Sequence, residues 1–147
     1  MQCSSACSTF LALKPSDGRR IVAASFVQLV AALALRTMPL PVLRTRAARL
    51  RSFASHVLRG PEERVIWAIE ATGRRLPGVS TCLVRAIVAD LVLACPERPL
   101  RLMIGVRRAA VGDLQSHAWV AHEDRVLIGG PEADEYVPVV AWDSLFT

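Results

Sequence analysis

The 147-residue sequence predicts an α+β fold, with helices first and an antiparallel sheet after them. Three observations lead there. Between Ser16 and Ala94 the apolar residues run together or recur at spacings of three and four, the pattern of helices. From Leu100 the period switches to two: Leu100, Leu102, Ile104 and Val106 alternate with Arg101, Met103, Gly105 and Arg107. Hydrophobic residues make up 52 % of the chain and charged residues 21 %, enough for a core and too apolar for intrinsic disorder. The length is that of one domain.

Residues 1–16 carry Ser and Cys without clear periodicity and are expected to be loose. Ser16 or Asp17 is the expected cap of a first helix running to about Arg36, stopped by Pro39 and Pro41. Within it, Ile21 to Leu35 is apolar except for Ser25 and Gln28, and Arg19 and Arg20 precede it. That pattern is like a signal-peptide core, but it is shorter than the ~20 residues of a membrane span, and no A-x-A-like cleavage site follows. A helix buried over most of its surface is the reading adopted. Membrane-surface association is the alternative, possible but not expected.

Pro41 lies in the first turn of a second helix, where its missing N–H costs nothing. Leu43, Ala47, Leu50, Ala54, Val57 and Leu58 form its apolar face, and Arg44, Arg46, Arg49 and Arg51 lie mostly off it as a solvated face. His56 sits at the apolar edge and reads as a partly buried structural residue. Gly60-Pro61 ends this helix and opens a third of about 13 residues, with Val65, Ala68, Ile69 and Trp67 facing inward. Leu76-Pro77-Gly78 links to the second half. There, Ser80 or Thr81 caps a helix that runs to about Ala94. Strands follow at about 100–106, 117–122 and 125–128, with a tight turn at Glu123-Asp124, and a last strand lies in 136–142, interrupted by Pro138. The organisation is thus a helical region over 1–79 and an α+β core over 80–147, in one compact unit.

Charge follows the same division. Residues 1–79 hold 12 basic and 4 acidic side chains, residues 80–147 hold 6 and 9. Of the 18 basic residues 17 are Arg, which is weak support for phosphate binding; no aromatics interleave with them, and nucleic acid is an unlikely partner. The four cysteines, Cys3, Cys7, Cys82 and Cys95, lack the C-x2-C spacing of a zinc site, so neither a metal nor any other cofactor is expected. A chain of this size needs no disulfide staples, and the reading is a reducing, cytoplasmic compartment.

Two residues carry the candidate chemistry. Cys82 falls at a helix start, where unpaired N–H groups and the positive helix end favour a thiolate and can donate to an oxyanion. His117 follows on a strand, the residue type that a thiolate nucleophile needs as its acid–base partner. Either residue taken alone is as readily explained by packing. Trp119 shares the face of His117, as a wall of the site or as core; His122, five positions on, projects from the opposite face and has no assigned role.

The local sequence narrows this reading. S-T-C-L-V-R-A at 80–86, L-R-L-M-I-G-V at 100–106, S-H-A-W-V at 116–120 and V-L-I-G-G-P-E at 126–132 resemble the leader peptidases of lasso-peptide biosynthesis, which are transglutaminase-like (papain-like) cysteine proteases. E-R-V-I-W-A-I-E at 63–70 and R-R-L-P at 74–77 extend the similarity over about residues 61–142. The resemblance implies a nucleophile helix packed on an antiparallel sheet, with Cys82 as nucleophile and His117 as the catalytic histidine. It implies removal of the leader from a ribosomally made precursor peptide, a separate leader-binding protein that presents the substrate, and an ATP-dependent cyclase acting afterwards. One family position departs: the Asp about twelve residues past the His is here Gly129. With a turn at 123–124 the residue across from His117 lies near Gly130, and Asp124 is too far along the strand. Glu132, Asp134 or a backbone carbonyl remain as ways to orient the ring. A catalytically silent binding module, and acyl transfer to an amine, are the other readings.

Overall fold

A computed structural model of the chain describes residues 15–109 and 112–146. Cys3, Cys7 and most of the opening segment expected to be loose lie outside the described residues. Four α-helices come first: α1 (Pro15–Thr37), α2 (Leu40–Val57), α3 (Glu62–Arg75) and α4 (Cys82–Leu93). Strands β1 (Arg101–Arg108), β2 (Leu114–His122) and β3 (Arg125–Ile128), a short 3-10 helix (Pro131–Glu135) and β4 (Val137–Asp143) follow. The sheet is antiparallel with order β3-β2-β1-β4, as the α+β expectation requires.

The helix most central to the fold is α4. Its sequence is apolar nearly all round, so it has no solvent face to offer and is buried on most sides. It packs on β2 below and against α1, α2 and α3. Val84, Ile87 and Val88 meet Leu102, Ala118, Val120 and Ile128 of the sheet in one apolar cluster, which Val65, Ala68 and Ile69 of α3 join. Fully burying a Val or Ile side chain contributes ~1.5–3 kcal/mol, so this cluster is the main source of stability.

The periodicity of two makes β1 a strand with Leu102 and Ile104 on the helix side. The register pairs Leu102 with Val120, Ile104 with Ala118, and Gly105 with His117. Directly paired residues share a face, so Gly105, His117 and Trp119 alternate to the side away from α4. Because β3 and β4 lie at opposite edges, the chain between them must cross the sheet. Its 3-10 helix contacts β2 and buries Ala133. Pro138 is accommodated on the edge strand β4, at a bulge opposite Ile104 and Gly105.

Five expectations for the helical half change. First, α1 is not buried over most of its surface. Its packed stripe is made of Asp17, Ala24, Gln28 and Ala31, while Val22, Phe26, Leu29, Val30 and Leu33 are 47–70 % exposed. Small residues on the packed stripe let the backbones approach, and the large ones are left outside. Second, Asp17 does not cap the helix; its buried carboxylate lies between Arg20 (2.9 Å) and Arg64 of α3 (3.1 Å). Third, the arginines of α2 are not all solvated. Arg46 and Arg49 are exposed, but Arg44 donates to the Asp143 carbonyl (2.6 Å) and lies 4.9 Å over the Trp142 ring. Burial pushes its guanidinium below the ordinary arginine value, opposed by Asp90. Arg51 donates to the Asp90 carboxylate (3.2 Å) and the Leu145 carbonyl (3.1 Å). Leu50, expected inside, is exposed, and Ala48 takes a buried place; His56 is exposed as well.

Candidate active site

The start of α4 is set by Thr81. Its side chain accepts a hydrogen bond from Val84 N–H (3.3 Å), and its carbonyl accepts from Arg85 N–H (3.0 Å). Thr81 is therefore the cap and Cys82 the first helical residue. Two of the early N–H groups are taken in this way, which leaves those of Cys82 and Leu83 as open donors at the helix end. Cys82 is a free thiol, partly buried against the apolar cluster.

The turn ahead of α4 is fixed from α1. Ser80, the other expected cap, is buried and its hydroxyl donates to the side-chain oxygen of Gln28. The amide nitrogen of Gln28 donates to the Ile69 carbonyl (3.1 Å). Gln28 interrupts an apolar run because it is the internal polar clamp between α1, α3 and the residue two before Cys82. A buried amide with both ends satisfied fixes one arrangement of these elements.

On the sheet, His117 is half-buried and enclosed by aromatic rings. Trp119 stacks at 6.1 Å between centroids, and Tyr136, from the crossing segment, lies at 5.0 Å. Arg107 covers the outer face of Tyr136 at 4.7 Å and pairs with Glu135. His117 Nε2 donates to the carbonyl oxygen of Gly129 at 2.8 Å. Of the alternatives open at the sequence level, the backbone carbonyl is the one that meets the ring. The neutral ring that donates from Nε2 keeps a lone pair on Nδ1, the atom then able to take a proton from a thiol.

Gly129 is a glycine for two reasons. Its φ of 118° disfavours any side chain, and a Cβ there would collide with Cα and Cβ of Trp119. A carboxylate on residue 129 has no room, and the group that meets the ring here is the backbone carbonyl. A bulge between Val120 and Ala121 shifts the β2–β3 register, and β3 ends at Ile128. The residue facing His117 is accordingly not the regular hairpin partner near Gly130. Gly105, paired with His117, would place a Cβ 2.7 Å from the Trp119 ring. Trp119 thus walls the histidine and packs over two glycines at once. His122 pairs with Arg125 at the hairpin turn, away from this cluster.

The two candidate residues belong to elements that pack on each other, α4 and β2, but α4 meets the Ala118 and Val120 face of the strand and His117 lies on the other face. Among the described residues no hydrogen bond joins Cys82 Sγ to the imidazole. Tyr136 and Gly105 were not singled out from sequence; the glycine opposite the histidine in the register was the available signal for the second, and Tyr136 carried none.

A family model of the transglutaminase-like superfamily matches residues 21–141. The chain belongs to that superfamily, and its four helices and four-stranded antiparallel sheet form a transglutaminase-like core. The match starts within α1, so the first helices are part of the family unit. The superfamily consists in general of cysteine peptidases and acyl transferases. No curated protein and no solved structure matches the chain.

Proposed function

We propose that the protein is a cysteine peptidase that removes the leader from a ribosomally synthesised precursor peptide during lasso-peptide maturation. The observation that carries the catalytic part is the held histidine, His117 fixed through Nε2 by the Gly129 carbonyl, with Cys82 as the first residue of a capped helix. The precursor class rests on the four sequence blocks around those residues.

In this mechanism the thiol and the imidazole, which are not in contact in this structure, are brought together in the substrate complex; His117 Nδ1 takes the thiol proton and Cys82 Sγ attacks the scissile carbonyl carbon. The resulting oxyanion is met by the open N–H donors of the α4 end. Collapse breaks the C–N bond, and the proton on His117 passes to the departing amine of the core peptide. The leader remains as a thioester on Cys82. His117 then deprotonates a water, which attacks the thioester carbonyl and releases the leader as an acid, restoring the thiol. The Gly129 carbonyl keeps the ring oriented throughout, without the charge that a carboxylate would add against the imidazolium. A leader-binding protein presenting the substrate, an ATP-dependent cyclase consuming the product, and a cytoplasmic site of action belong to the same proposal.

Mass spectrometry of the precursor after incubation with this chain and a leader-binding partner tests the reading. Free leader acid and free core amine are expected. A leader joined to an added amine instead would identify acyl transfer, which shares the thioester but not the acceptor. The lack of a thiol–imidazole hydrogen bond and the placement of His117 on the face of β2 away from α4 favour a second reading, a catalytically silent binding module. Alkylation separates the two: in an active site Cys82 is modified faster than Cys95, and equal rates favour the silent module.

A further inference from the structure

We propose that the outer face of α1 and α2 seats the protein on an anionic lipid surface. On α1, Arg19, Val22, Phe26, Leu29, Leu33 and Arg36 follow each other at spacings of three and four and are all exposed, a continuous apolar stripe with an arginine at each end. The stripe is about 25 Å long at ~1.5 Å per residue. On α2, Val42, Leu50 and Phe53 are 41–66 % exposed among the exposed Arg46 and Arg49. The two helices meet over a groove of about 1020 Å³, lined by Val22 and Phe26 on one side and His56 and Val57 on the other, with Arg19 and Arg59 at its rim.

Charge decides the occupant. Residues 18–61 contain eight arginines and no Asp or Glu. Arg44 and Arg51 turn inward, and among the described residues the exposed Arg19, Arg36, Arg46, Arg49 and Arg59 make no ion pair with a carboxylate. The large apolar side chains are spread along both helices rather than gathered in the groove. A lipid interface uses a whole helical face in this way, with apolar side chains below the headgroups and arginines among them. The face lies on the bilayer and does not cross it, because α1 is tied into the fold by polar contacts on its other side: Asp17 to Arg64, and Gln28 to Ile69 and Ser80. A helix so held presents one stripe only.

The test uses the full chain and co-sedimentation with vesicles, either phosphatidylcholine alone or three parts phosphatidylcholine to one part phosphatidylglycerol. Binding to the anionic vesicles is expected to exceed binding to the neutral ones by about tenfold or more and to fall as salt is raised. Phe26→Ser with Leu33→Ser is expected to abolish it while thermal unfolding stays unchanged, since both side chains are exposed. Arg19→Gln with Arg36→Gln is expected to weaken it about tenfold. No binding to the anionic vesicles, or undiminished binding by the Phe26/Leu33 variant, overturns the proposal. So does a dimer that this variant dissociates without any lipid binding, which assigns the face to a second copy, or binding of acidic protein segments but not vesicles. Peptide cleavage is not read in this assay, so its result and that of the peptidase reading fail independently.

Discussion

His117 donates through Nε2 to the carbonyl oxygen of Gly129, twelve residues along the chain, at 2.8 Å. The contact depends on a backbone turn with φ 118° that Trp119 leaves no room to decorate. Gly129→Ala is therefore expected to destabilise the fold by about 2–4 kcal/mol, from left-handed strain plus collision with Trp119, read by denaturant unfolding. Gly129→Asp, which restores the residue type of the family pattern, is expected to unfold as easily and to cleave no faster. A Gly129→Asp protein of full stability and raised rate would show that the carbonyl is a poor substitute rather than a built orienter.

The clamp at Gln28 gives a second expectation. Gln28→Ala leaves the buried Ser80 hydroxyl without its partner and removes the second hydrogen bond to the Ile69 carbonyl, which keeps its helical one. A loss of about 2–4 kcal/mol is expected from the unsatisfied hydroxyl, the lost hydrogen bond and the cavity. Ser80 lies two residues before Cys82, so the rate of Cys82 alkylation in the folded variant is expected to change as well. An unchanged rate would mean that α1 supports the fold without positioning the thiol.

The C-terminal residues are held by α2 and α4 through a polar cluster. Ser144 donates to Asp90 and accepts from Leu100 N–H at 3.0 Å, while Arg51 reaches Asp90 and Leu145 and lies 5.0 Å from the Phe146 ring. Asp90 is 8 % exposed. Removing one partner leaves the other charge buried, so Asp90→Ala is expected to cost about 3–5 kcal/mol. Arg51→Ala is expected to cost less and to make the segment after Asp143 the first site of limited proteolysis. Protease resistance equal to wild type in the Arg51→Ala protein would contradict this anchoring role.

The architecture was legible where one period dominates. The alternation of Leu100, Leu102, Ile104 and Val106, the turn at Glu123-Asp124 and the cap at Thr81 are local signals, and each has its expected place. Misreadings came where tertiary contacts choose between similar faces. Arg44 and Arg51 look like solvated charges until β4 and α4 supply carbonyls and a carboxylate for them. The long apolar run of α1 looks like a buried helix, yet its alanines and Gln28 do the packing. Gly129 reads as a gap in a catalytic set because sequence names side chains, and the group that meets His117 is a backbone carbonyl. Tyr136 could not be found at all, since its position over His117 follows from a crossing connection that only the strand order reveals.

Single-turnover cleavage of the precursor by wild type, Cys82→Ala and His117→Ala, with the leader-binding partner present, decides whether Cys82 and His117 perform the cleavage. Cys82→Ala is expected to form no thioester and to cleave nothing, and His117→Ala to cleave at least about a hundredfold more slowly, the scale of a lost acid–base group, with both variants folded. Cleavage at the wild-type rate by either variant contradicts these roles.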